Sequence, residues 1–216
     1  MPIDVPRTNI RIFVAPKVAS TSIKEFCLDL AGGIRLDGGE RGNPENRVHK
    51  ILPNDLFHPD FLSPGIVPIA LIRNPLARFL SLYKDKVESA TGFFAKFWQR
   101  LDQSGVSKPA NAEDLITRIS YFSDVFPGLG RHALPQVRWV GNRPQVFERV
   151  FQIDKIEELE HFLSDRLETT VTIPRRNQSV GLDPHVEARV RALVAHHYSA
   201  DYDFARKAGL ALEGPG

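Results

Sequence analysis

Residues 10 to 30, IRIFVAPKVASTSIKEFCLDL, constrain the fold of this chain more than any other stretch. The apolar run Ile10, Ile12, Phe13 and Val14 has the character of a buried strand, and Pro16 ends it. Lys17 opens a short loop, and Ser20, Thr21 and Ser22 stand where a helix should begin. The start of a helix leaves backbone N–H groups without intrahelical partners and carries positive dipole potential, so it cradles anions. Three hydroxyls and an ammonium there add donors for a phosphate or a sulfate. The same pattern also suits an ordinary strand–turn–helix with a Ser or Thr N-cap.

A second strand of a different kind follows at Ile66 to Ile72, IVPIALI, whose continuous apolar character is typical of a strand buried on both faces. It runs into PLARFLSLYKDKV, a helical pattern with Pro75 at a favoured first position. FFAKFWQRL and AEDLITRISYF predict two further helices. VFERVFQI (Val146 to Ile153) predicts a third long strand, and KIEELEHFLSDRL an amphipathic helix capped by Asp154. HVEARVRALVAHHY predicts the last helix, and RVHKIL, within the Gly- and Pro-rich region from Gly32 to Pro64, a short extra strand. Strands alternating with helices imply an α/β fold around a mainly parallel central sheet, with 1–216 as one domain and 211–216 as a frayed tail. In such sheets ligands bind beyond the carboxyl ends of the strands, where both Lys17 and Arg73 fall.

Composition narrows the possible functions. With 28 Lys and Arg against 26 Asp and Glu, the net charge of +2 in 216 residues gives no general case for a nucleic-acid partner. The single cysteine, Cys27, excludes an intrachain disulfide and a thiolate metal cluster, and its place in the first helix suits a buried core residue. The N-terminal MPIDVPRTNI lacks the basic and apolar regions of a secretory signal. The longest apolar run is well short of the roughly 20 residues that span a bilayer. The expectation is a soluble, cytoplasmic protein with no membrane segment.

The strand Ile66–Ile72 ends in Arg73 rather than in an acid. Asn74-Pro75 then turns into a helix carrying Arg78, Ser81 and Tyr83. A guanidinium and a hydroxyl two helical turns apart suit a terminal phosphate, which Arg grips in bidentate fashion. Taken singly, Arg73 also suits a surface salt bridge, and Ser81 an ordinary helix-surface hydroxyl. A nucleoside triphosphatase needs the loop G-x-x-x-x-G-K-[ST] and a strand-end carboxylate for magnesium. The chain has neither, and a cation stands where the metal-binding acid would be. The pattern points to a ligand with two separate anionic ends, held without a metal.

PKVASTS followed by RNPLARFLSLYKDK resembles the two cofactor motifs of the family 2 sulfotransferases, which include heparan sulfate 2-O-sulfotransferase and the Golgi carbohydrate sulfotransferases. Three further elements follow in the family's order. HALPQ (His132 to Gln136) is similar to a His-Trp-x-Pro-Gln element, with Ala133 in place of the Trp. PRRNQS (Pro174 to Ser179) resembles the loop that closes over the nucleotide, and HYSADYDF the closing Tyr-x-x-Asp-Tyr/Phe pattern. The resemblance implies a P-loop-like, three-layer fold. It also implies transfer of a sulfuryl group from 3′-phosphoadenosine 5′-phosphosulfate (PAPS), a donor substrate used without a metal, to a carbohydrate or small-molecule acceptor.

By that resemblance Lys17, Ser20, Thr21 and Ser22 hold the 5′-phosphosulfate, and Arg73 and Ser81 the 3′-phosphate. Arg176, Asn177 and Ser179 are further cofactor contacts. Lys17 also acts in catalysis, on the charge of the leaving group. Two histidines are candidates for the base that takes the acceptor proton. His49 lies near where heparan sulfate 2-O-sulfotransferase carries its catalytic histidine, and His132 belongs to HALPQ. His58, between Phe57 and Pro59, reads as a loop residue. Phe93, Phe94, Phe97 and Trp98 are core residues at helical spacing or a sugar-stacking platform. Two other classes stay open: a nucleotide kinase of the same fold class, which would need ATP and magnesium, and a non-catalytic module that binds a nucleotide or glycan.

Overall fold

The two longest strands are set by apolar runs. The computed structural model describes residues 2–32, 55–89, 92–175 and 184–212. It contains a four-stranded open sheet in the order β1 (Ile3–Asp4), β2 (Ile10–Val14), β3 (Val67–Ile72) and β4 (Arg149–Gln152). The short β1 pairs antiparallel with β2, while β2–β3 and β3–β4 are parallel, so the sheet is mixed but mostly parallel. Ile69 through Ile72 are all buried, as a central strand covered on both faces requires. β1, only two residues long, is the strand the sequence pattern misses.

By packing, the chain falls into two compact units. The first comprises Met1–Arg73, Gln136–Gln178 and Phe204–Leu210, and holds the whole sheet. Helices α1 (Ser20–Leu30), α7 (Val137–Val140) and α8 (Ile156–Leu167) pack against its strands. Its core gathers Ile12, Phe13, Val18, Ile23, Leu71, Phe151, Leu159 and Leu163, each no more than 1% exposed.

The second unit comprises Asn74–Pro135, Ser179–Asp203 and Ala211–Gly216. It is helical. α2 (Pro75–Tyr83) continues into a π-helical turn, Lys84–Glu88, and is followed by α3 (Gly92–Gln103), α4 (Ala112–Thr117), α5 (Ile119–Val125) and α6 (Pro127–Ala133). α9 (Pro184–His197) and the first turns of α10 (Ser199–Lys207) complete it. Its core includes Phe79, Leu82, Trp98, Leu115, Phe122, Phe126, Val190, Val194 and Tyr198. Of the aromatic run, Trp98 is buried and donates its indole N–H to the Lys86 carbonyl at 2.7 Å, while Phe94 and Phe97 pack on the same core. Phe93, at 69%, is the exposed member.

Four expectations are corrected. HVEARVRALVAHHY is not the last helix, because α10 follows it after Tyr198. AEDLITRISYF is two helices, because Arg118 adopts φ −111° and interrupts the ladder between α4 and α5. The strand expected over Val146 to Ile153 is only Arg149–Gln152. Pro144 fixes a 3₁₀ turn, Pro144–Val146, ahead of it, and pairing resumes where the Glu148 N–H donates to the Pro68 carbonyl at 2.9 Å. Asp154 is not the N-cap of α8. A 3₁₀ turn, Ile153–Lys155, intervenes between strand and helix and makes Lys155 the cap. RVHKIL lies outside the described residues.

Candidate functional site

Strand register brings the two cationic strand ends together. Val14 of β2 stands opposite Leu71 of β3. Lys17 lies three residues into the loop beyond the end of β2, and Arg73 directly follows the end of β3. The Arg73 Nη1–H donates to the Lys17 carbonyl at 3.2 Å. The Lys17 loop and Arg73, which sequence placed at separate strand ends, therefore share one corner of the first unit.

The loop itself is strained. Lys17 has φ 68° and Ala19 φ 53°, left-handed values that the loop reaches without glycine. Such residues cost on the order of 1–3 kcal/mol each and persist where the surroundings enforce them, which is common at ligand clamps. Ala19 is the N-cap of α1 and makes no side-chain capping bond, so an ordinary Ser or Thr cap is excluded. Ser20, Thr21 and Ser22 instead occupy the first turn. Ser20 and Ser22 are buried and Thr21 is half-buried.

Arg73 is fixed by a residue from far along the chain. Its backbone N–H donates to Gln136 Oε1 at 2.9 Å, and its carbonyl accepts from Gln136 Nε2 at 2.8 Å. Gln136 is the last residue of HALPQ. The motif was visible in the sequence, but nothing in its spacing assigned the glutamine to Arg73.

In the second unit, Asn74 caps α2 by accepting from the Leu76 and Ala77 N–H groups at 2.9 and 3.3 Å. Ser81 lies on the same helix and is 9% exposed, so the open helix-surface reading does not hold. Arg78, four residues past that cap, is fully buried at 1% exposure. Its Nη2 donates to the carbonyls of His132 and Leu134 at 3.0 and 2.8 Å, and its guanidinium lies 5.9 Å from the Tyr198 ring centroid. The Tyr198 hydroxyl donates to the intervening Ala133 carbonyl at 2.8 Å. Burial lowers the Arg78 pKa from its ordinary value, and Tyr198 and the buried Asp201 oppose that shift. The closing Tyr-x-x-Asp element thus meets the HALPQ turn through Arg78. Sequence reading missed this role, although Pro75, Arg78 and Leu82 share one helix face by spacing.

His132 lies half-buried in the last turn of α6, its ring edge-on to Phe94 with centroids 6.3 Å apart. His58 is an exposed loop residue whose Nδ1 accepts from the Asp60 N–H. His49, Arg176, Asn177 and Ser179 lie outside the described residues. Cys27 is a core thiol pushed up to about 12 by burial, with the Asp4 charge acting the same way. Lys24, on α1, was not singled out by sequence. It is completely buried, and burial pulls it down to about 8 against the opposing charge of Asp55.

Among the described residues no cluster of three or more His, Cys, Asp or Glu is placed to hold a metal ion. No described helix is long and apolar enough to cross a membrane. Residues 3–183 match the sulfotransferase family. The chain belongs to that family, as a family 2 sulfotransferase. No curated protein and no solved structure matches it.

Proposed function

We propose that the chain transfers a sulfuryl group from PAPS to an acceptor hydroxyl of a carbohydrate or small molecule, on a P-loop-like fold. The observation that carries the reading is the bond from the Arg73 guanidinium to the Lys17 carbonyl at 3.2 Å. The two phosphates of such a donor hang from one ribose, so their cationic holders must stand close together. Lys17 with the first turn of α1 suits the 5′ end, and Arg73 the 3′-phosphate. The sequence resemblance adds Ser81 to the 3′-phosphate and Arg176, Asn177 and Ser179 to the nucleotide.

Bound, the donor supplies the activated sulfuryl group. The chain's own contribution is then electrostatic. Lys17 and the N–H groups of the strained loop stabilise negative charge as it builds on the leaving side, and losing one such donor costs roughly 3 kcal/mol. A histidine takes the acceptor proton, worth about 10²–10⁴-fold in rate. His132 and His49 are the two the resemblance offers.

The test is transfer of label from radioactive donor. Lys17→Ala should lose about a hundredfold or more in rate with an unchanged circular dichroism spectrum. Full activity in that variant contradicts the assignment.

A further inference from the structure

β3 ends one residue too early to hold Arg73. The last ladder pair is Ile72 with Gln152, so the peptide groups of Arg73 lie past the sheet, and Pro75 opens a helix two residues later. A residue in that position still has a backbone donor and acceptor to satisfy. The Gln136 side chain does both. A primary amide presents one acceptor and one donor side by side, the same pair a neighbouring strand offers.

The clamp is itself rigid. Gln136 is 2% exposed, so both bonds are made out of water, where a lost partner is not replaced. Its own carbonyl accepts from the Trp139 and Val140 N–H groups at 2.8 and 3.0 Å, which ties it to the turn of α7. The next residue beyond that helix, Gly141, has φ 83°, and a Cβ there would meet the Phe57 ring at 3.1 Å, so the segment has little room to shift. From the backbone so held, the Arg73 side chain reaches the Lys17 carbonyl.

We propose that Gln136 is a positioning residue that sets Arg73 for a ribose 3′-phosphate, and so determines selectivity for nucleotides carrying that second phosphate. The inference rests on the donor reading above. A binding group must be held to within about 0.5 Å and 10–20° to keep productive geometry, and a bidentate guanidinium grip is directional. Releasing the Arg73 peptide therefore weakens the grip on the 3′-phosphate and leaves the 5′ end, held by the α1 turn, largely as it was.

The experiment is calorimetric titration of the full chain with adenosine 3′,5′-bisphosphate and with adenosine 5′-phosphate. The proteins are wild type, Gln136→Met, Gln136→Glu, Arg73→Ala, and Arg73→Ala combined with Gln136→Met. Wild type should prefer the bisphosphate. Gln136→Met, similar in length but without the amide, should cut that preference about tenfold or more while changing monophosphate affinity little. Gln136→Glu keeps the acceptor for the Arg73 N–H and loses the donor, so it should fall between; it serves as the readout if Gln136→Met does not fold. Adding Gln136→Met to Arg73→Ala should reduce the preference no further. A preference unchanged in a folded Gln136 variant, or both affinities falling alike, overturns the inference and leaves the donor reading standing. A wild type that binds the two nucleotides equally removes the donor reading, and this inference with it.

Discussion

Arg73 donates from its guanidinium to the carbonyl of Lys17, 56 residues earlier in the chain. Parallel register between β2 and β3 makes that bond possible, because it carries both strands to the same corner before either turns away. The corner is therefore fixed by the sheet, while the loop between Val14 and Ser20 takes up the strain.

That strain is measurable. Ala19 at φ 53° has a Cβ where glycine would have none, and the left-handed region costs an L-residue roughly 1–2 kcal/mol. Glycine is also a good N-cap. Ala19→Gly should raise stability by about 1 kcal/mol in urea unfolding. A lowered midpoint at unchanged m-value would contradict the account of the loop.

Arg78 predicts the opposite response. Its guanidinium serves the His132 and Leu134 carbonyls within a buried setting that includes Tyr198 and Asp201. Arg78→Met leaves those acceptors and the Asp201 charge without it, and breaking such a buried arrangement from one side costs about 3–5 kcal/mol. Arg78→Lys keeps the charge but not the planar fork, and should recover only part of the loss. Chemical denaturation of the two variants measures this. Wild-type stability in Arg78→Met would show that the cluster holds nothing in place.

Lys24 makes stability depend on pH in a particular window. Its folded pKa is about 8 against an ordinary 10.5. Between those values the unfolded chain holds the proton and the folded one has released it, so stability rises with pH. Cys27 acts in the other direction above 9.0, because its folded pKa of about 12 keeps the thiol protonated while the unfolded thiol ionises. Tyr198, moved from 10.0 to about 12, adds to that loss. The rise due to Lys24 is thus clearest from pH 8 to 9. There the stability of wild type relative to Lys24→Met should increase by about 1 kcal/mol. A constant difference across that interval would show that Lys24 is not held near pKa 8.

How much of this was legible in the sequence follows from the range of each signal. β2, β3, α1 and α2 were readable because apolar runs, Pro75 and the Ser-rich helix start act within a few residues. The loop at Lys17 was readable as a turn between strand and helix, but its left-handed residues were not, since neither Lys17 nor Ala19 is a type that announces such a turn. Gln136 and Arg78 were hidden for another reason. Their partners lie 63 and 54 to 56 residues away, and no local period connects them. The strand expected at Val146 was shortened because Pro144 decided the backbone there before β-propensity did.

The most direct measurement of the central claim is a crystal structure of the protein soaked with adenosine 3′,5′-bisphosphate. The account predicts the 5′-phosphate on the turn from Lys17 to Ser22 and the 3′-phosphate on the Arg73 guanidinium, with Gln136 still bonded to the Arg73 backbone. Nucleotide bound elsewhere, or bound at the Lys17 turn with its 3′-phosphate facing solvent away from Arg73, would contradict it.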